Sequence, residues 1–179
     1  MKRKIPVYNI VIVLILSLII IIGSMVVFLN PERKTHKKTE ISNSETPAAP
    51  VKPVFRKDGE LRFLEGKTFN PITTIDIEVA DTDPEKEQGL MYRDTMSENR
   101  GMLFLMGTED TQSFWMKNTI ISLDIIYVNS ERRIVSIHKN TKPYSLEQII
   151  SAKPAMYVVE VNAGYTDKYG IKVNDLISF

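Results

Sequence analysis

The stretch SFWMKNTIISLDIIYVN, residues 113–129, holds the side chains of this chain best equipped for chemistry. Trp115 is the only tryptophan, Lys117 and Asn118 follow it closely, and Asp124 stands inside an apolar run. An indole can stack a sugar or another planar ligand. It can equally anchor a core, with its N–H donated to a buried acceptor. Large aromatics usually serve burial, so the anchor is the favoured reading. Asp124 poses the same choice. A carboxylate between Leu123 and Ile125 needs partners, or it shifts its pKa upward and neutralises. Held by Arg93 or Lys117 and by amides of the Lys117–Thr119 turn, it is a structural pair that fixes strand register. With a tuned pKa it is a general acid or base. Burial again favours the structural role. Glu160 shares a strand face with Met156 and Val158 and reads as an exposed or capping group near a strand end. If Glu160 met Asp124 in one cleft, the pair could run glycosidase-type chemistry. The candidate ligand-binding set is therefore Trp115, Lys117, Asn118 and Arg93, with Asp124 and Glu160 as the candidate catalytic pair.

Composition excludes several other chemistries. The chain has 179 residues and no cysteine, which rules out disulfides, thiol catalysis and cysteine zinc sites. Two histidines, His36 and His138, cannot make a multi-histidine metal centre. No metal or cofactor is expected. The methionines lack the closely spaced Met-x-Met runs of thioether copper sites and read as gap-filling core. No Gly-rich phosphate loop, G-x-S-x-G elbow or nucleophile paired with a base is present. A formal net charge of +1 gives no global field for nucleic acid.

These side chains must be positioned by a small β-rich domain. ITTIDIEVA sets Ile75, Ile77 and Val79 on one face and Asp76 and Glu78 on the other, a half-buried strand. Thr82 and Glu85 have capping-box spacing, and Pro84 suits a first turn, so a short helix begins there and Gly89 limits it. GMLFLM, RIVSIHK, AMYVVEV and DLISF read as strands. The quoted stretch breaks at Lys117-Asn118-Thr119, because Asn tolerates left-handed geometry and suits a tight turn. SFWM and IISLDIIYV become separate strands. One helical turn is expected within Ser145–Ser151, and AGYTDKYG fits a short helix ended by Gly170. The expected fold is α+β and mostly antiparallel: a curled sheet or small open barrel with two short helices.

The N-terminus sets an expectation for location. Lys2, Arg3 and Lys4 precede an uncharged run from Ile10 to Leu29. Twenty residues at ~1.5 Å each make about 30 Å of helix, the thickness of a bilayer core. The run lacks a small-residue cleavage site, so a retained transmembrane signal anchor over 10–29 is favoured over a cleaved signal peptide. Residues 1–9 are a basic tail. Residues 30–57, polar and rich in proline, predict a disordered tether. Residues 58–179 form the globular domain. The organisation is a single-pass membrane protein with an extracytoplasmic domain, and its partners are the membrane and an unknown envelope ligand or protein.

Several blocks carry a family resemblance: GLMYR at 89–93, GMLF at 101–104, FWMKNT at 114–119, LDI at 123–125, EVNAG at 160–164 and GIKV at 170–173. In this order the chain resembles the DUF192 family, also called UPF0127, over Ile72–Ser178. The resemblance implies a compact β-rich domain, often exported in bacteria. It implies no activity, because the family has no settled biochemical role. The reading that follows is a binding or interaction module at the cell envelope. The alternative is a hydrolase acting on an envelope polymer through paired carboxylates.

Overall fold

The computed structural model describes residues 53–179, so the expected anchor and most of the expected tether lie outside the described residues. Among the described residues no helix is long and apolar enough to cross a membrane. Residues 53–57 close the stretch expected as tether. There the Arg56 amide donates to Glu78 Oε1 at 2.5 Å, and the Arg100 guanidinium lies 4.2 Å from the centre of the Phe55 ring.

In chain order the domain runs β1 (Gly59–Leu64), β2 (Pro71–Ala80), α1 (Asp83–Gln88), β3 (Arg100–Asp110), β4 (Ser113–Phe114), β5 (Leu123–Val128), β6 (Ile134–His138), β7 (Ile149–Ile150), β8 (Ala155–Asn162), α2 (Tyr165–Tyr169) and β9 (Leu176–Ser178). Seven strands form one sheet in the order β6-β5-β8-β3-β2-β1-β9. Every pairing is antiparallel except β2 with β3. The sheet curls until its two edge strands meet at a single bridge, Arg133 to Leu176. The short strands β4 and β7 form a separate two-stranded ribbon.

Strand alternation divides the core into two parts. Leu61, Phe63, Ile75, Ile77, Leu103, Ile126, Val128, Ile134, Val159, Val161 and Ile177 fill the inner face, with contributions from all seven strands. Met102, Phe104, Leu123, Ile125, Tyr127 and Val158 make a second cluster on the outer face of β3, β5 and β8. Leu90 and Met116, and the partly buried Phe114 and Ile149 of the ribbon, cover that second cluster. All six residues of β5 are buried, because the strand is covered on both sides.

The local signals act as their chemistry requires. Thr82 and Glu85 form a reciprocal capping box at the start of α1, with Pro84 in its first turn. Asn118 adopts φ 55° and breaks the quoted stretch. β4 then turns away to pair with β7 instead of forming a hairpin with β5. The stretch 145–151 holds the strand β7 rather than a helical turn, since Phe114 supplies it with a partner at Ile149. Gly170, at φ 68°, ends α2.

Asp124 is fully buried, but its partners differ from those expected. Neither Arg93 nor Lys117 reaches it. It accepts from the amides of Asn140 (2.9 Å), Gly164 (3.2 Å) and Thr166 (3.0 Å), and from the Thr166 hydroxyl (2.7 Å). The physical reason lies in α2. Its N-cap, Gly164, has no side chain to satisfy the free amides of the first turn, and Asp124 does so from the neighbouring strand. The carboxylate thereby ties β5 to α2 and to the loop after β6. Asp124→Ala leaves these donors without an acceptor. It is expected to lower unfolding free energy by about 3 kcal/mol or more in a urea titration.

Candidate functional site

On the outer face, α1, β3 and β4 leave a cleft of about 250 Å³. Its floor and walls include Leu90, Met91, Phe104, Met106, Phe114 and Glu160, while Lys86, Glu87 and Trp115 also line it. Gly89, at φ 44°, brings the backbone over Phe104, where an added Cβ would lie 3.4 Å from the ring. A side chain there would be strained in that left-handed backbone and would crowd the cleft wall.

Glu160 lies in β8, between β5 and β3, with register partners Ile125 and Met102. It is only 4% exposed, and no hydrogen bond or ion pair from the described residues reaches its carboxyl. Burial pushes its pKa up to about 8. Burial, together with the nearby Glu160 charge, also pushes the Tyr127 phenol up. The Tyr127 hydroxyl donates to the Ile149 carbonyl at 2.5 Å. A file of edge-to-face rings, Phe104 to Phe114 to Tyr127 to His138, runs beside the acid with centroid spacings of 5.0, 6.1 and 5.7 Å. Such ring pairs favour an ordered wall.

The two carboxyls do not pair. Asp124 shares its strand parity with Ile126 and Val128 of the inner core, and Glu160 shares its own with Val158 of the outer cluster. Opposite faces of one sheet cannot present a common cleft. With Asp124 committed to four donors, the arrangement offers no acid and base flanking a scissile bond.

The remaining expected site residues separate into neighbouring groups. Trp115 is 45% exposed and borders the Glu160 cleft, so it is not the core anchor that burial statistics favour. The Lys117 ammonium sits 4.8 Å from the Trp115 ring centroid. Asn118 donates to the Tyr92 hydroxyl at 2.7 Å, and its carbonyl accepts from the Tyr92 amide at 2.9 Å. With Met91 and Gln88, Lys117 and Asn118 line a neighbouring recess beside α1. Arg93 is buried in a third recess, where it is paired with Glu78. Glu160 is the residue whose environment the sequence reading misjudged. Its signal was present: Glu160 stands between Val159 and Val161, as Asp124 stands between Leu123 and Ile125.

The fold and this cleft define a small curled β domain with a buried acid lining a partly apolar recess. The chain belongs to the DUF192 family: the family model, described as an uncharacterised ACR, matches residues 66–179. A UPF0127 protein of Thermococcus sibiricus is 26% identical over 119 residues, 65% of this chain and 74% of that protein. Two solved structures share the fold. A protein of unknown function from Novosphingobium aromaticivorans is 33% identical, with a TM-score of 0.64, covering 71% of this chain and 91% of its own. A proposed transcription regulator from Sinorhizobium meliloti is 34% identical, with a TM-score of 0.63, covering 66% of this chain and 91% of its own.

The raised acid gives a signed pH dependence. A carboxyl with a folded pKa of about 8 and an unfolded one near the ordinary value of 4.5 binds more protons when folded. Stability is then fully present below about pH 4.5 and declines as pH rises through about 8. Glu160→Gln keeps the shape of the protonated acid and abolishes this slope. Unfolding midpoints of the wild type are expected to fall between pH 5 and 8, while those of Glu160→Gln stay level.

Proposed function

We propose that this domain is a binding module of the cell envelope and that the cleft over Glu160 is its site. The observation that carries the reading is the unpartnered carboxyl. A buried acid without hydrogen bonds costs stability, and groups kept at that cost concentrate at functional sites. The cleft is slightly smaller than the roughly 300–1,000 Å³ of common small-molecule sites, so it suits a compact ligand or a single side chain of a larger partner. Trp115 at its border is a half-exposed aromatic, the residue type that anchors bound partners.

A larger cleft of about 620 Å³ lies between the β1–β2 turn and the approach to β9. Its buried acid and its arginine are already partnered. Arg133 donates to the Asn174 carbonyl at 2.7 Å, and Asp175 accepts from the amides of Gly66 and Lys172. It offers a ligand less that the protein does not already supply.

An ¹⁵N NMR fragment screen of the whole protein in detergent micelles tests the site. Bound fragments are expected to shift the amides of Gly89, Phe104, Phe114 and Glu160 and the Trp115 indole together. Shifts confined to the larger cleft, or scattered over the surface, contradict it.

The envelope placement rests on the apolar run 10–29, which we read as a membrane anchor with the domain on the outer side. Protease added to intact spheroplasts is expected to release the domain. Protection until lysis would reverse the orientation.

A further inference from the structure

We infer that the Glu160 cleft recognises an organic ammonium group on a short apolar stem, with its head at the Glu160 carboxyl and its stem against Phe104, Phe114 and Met106. This deepens the binding reading above and rests on it.

The buried acids among the described residues are Glu78, Asp124, Glu160 and Asp175. Glu78 holds Arg93 and the Arg56 amide, Asp124 holds four donors, and Asp175 holds two amides. The fold thus supplies a donor wherever it buries an acid, except at Glu160. That exception coincides with the one of these acids that lines the cleft between α1, β3 and β4. The missing donor fits a ligand that brings it.

A bound anion would face the Glu160 carboxyl, and the lining cation Lys86 is balanced by its neighbour Glu87, so anions are disfavoured. Aromatic faces attract cations, and sulfur-bearing side chains such as Met91 and Met106 pack on alkyl stems. The cleft already borders one such contact, the Lys117 ammonium over the Trp115 ring. A recess of about 250 Å³ holds a chain of a few carbons with an ammonium end. A free small amine and the side chain of a lysine on a partner protein both present this chemistry.

Protons are linked to this binding. The titratable groups that face Glu160 are Tyr127 from β5 and, on the cleft lining, Lys86 and Glu87 from α1; β3 and β4 contribute none to that lining. The unliganded acid is held up to about 8 by burial, so at pH 7 an arriving ammonium ionises it. One proton leaves the carboxyl as the charge pair forms. Affinity therefore rises with pH between 6 and 8.

Titration calorimetry on the whole protein in micelles tests the inference, in two buffers of different ionisation heat. The probes are n-butylammonium, Nα-acetyl-lysine N-methylamide and, as a neutral control, n-pentanol. Both amines are expected to bind with release of close to one proton at pH 7, and more tightly at pH 8 than at pH 6. Binding of butylammonium but not of the lysine derivative restricts the site to free amines; binding of both shows that it also accepts a lysyl side chain. Glu160→Gln is expected to weaken the amines by at least about 30-fold, as for loss of one partner of a buried charge pair. It should leave pentanol unchanged, and an unaltered ¹⁵N spectrum establishes that it is folded. Met106→Trp, which fills the wall, should block all three probes. If pentanol binds the cleft as well as the amines do and no proton is released, the ammonium inference is overturned while the site stands. If none of the probes perturbs the cleft, the site falls with it.

Discussion

The two-residue alternation of β5 and β8 is the constraint on which the rest of this domain depends. The strands lie side by side in antiparallel register, with Asp124 opposite Val161 and Ile125 opposite Glu160. Adjacent positions in the sequence therefore face opposite ways. One carboxyl goes inward, where a helix start and a loop wait for it. The other goes outward, beneath a thin cover made by α1, the chain after it and the β4–β7 ribbon. A register slip of one residue would exchange these environments and strand both acids.

The inward acid is structural in a direct sense. Gly164 turns the chain tightly at φ 82° into α2 and, having no side chain, cannot cap the helix it opens. Asp124 replaces that cap through space. The result is a junction where β5, the loop after β6 and α2 share one carboxylate. Asp175 repeats the device near the opposite edge of the sheet, accepting from Gly66 and Lys172 where the β1–β2 turn meets the approach to β9. Gly66 passes so close to the Asn174 carbonyl that an added Cβ would lie 1.9 Å from its oxygen. Close backbone approach and buried acceptors together hold the edges of the curled sheet.

Much of this architecture is legible in the sequence, because it rests on local chemistry. Thr82, Pro84 and Glu85 announce α1, Asn118 announces the break, and Gly170 announces the end of α2. What is not legible is which distant backbone reaches which side chain. Cations of the neighbouring motif blocks, Arg93 and Lys117, suggest themselves as partners of Asp124, yet its donors come from Asn140, Gly164 and Thr166. Arg93 is instead used by Glu78, fifteen residues earlier. Trp115 was expected inside because indoles usually are. It lies at the border of a cleft because β4 stops at Phe114 and the chain turns away before a second layer can cover it. Glu160 looked peripheral near a strand end, but β8 is a central strand, and central position in a sheet cannot be read from one strand's residues alone.

Among the buried acids of the described residues, Glu160 thus stands as the one to which the fold supplies no donor. Phe104, Phe114 and Met106 share its cleft, the Tyr127 phenol feels its charge, and its carboxyl lines that cleft. The most direct measurement is a ¹³C NMR titration of the Glu160 side-chain carboxyl in the unliganded protein. The expected result is a midpoint near 8 and a single protonated form at pH 6. A midpoint in the ordinary carboxylate range of about 4–5 would mean that the acid is solvated or partnered, and would contradict it.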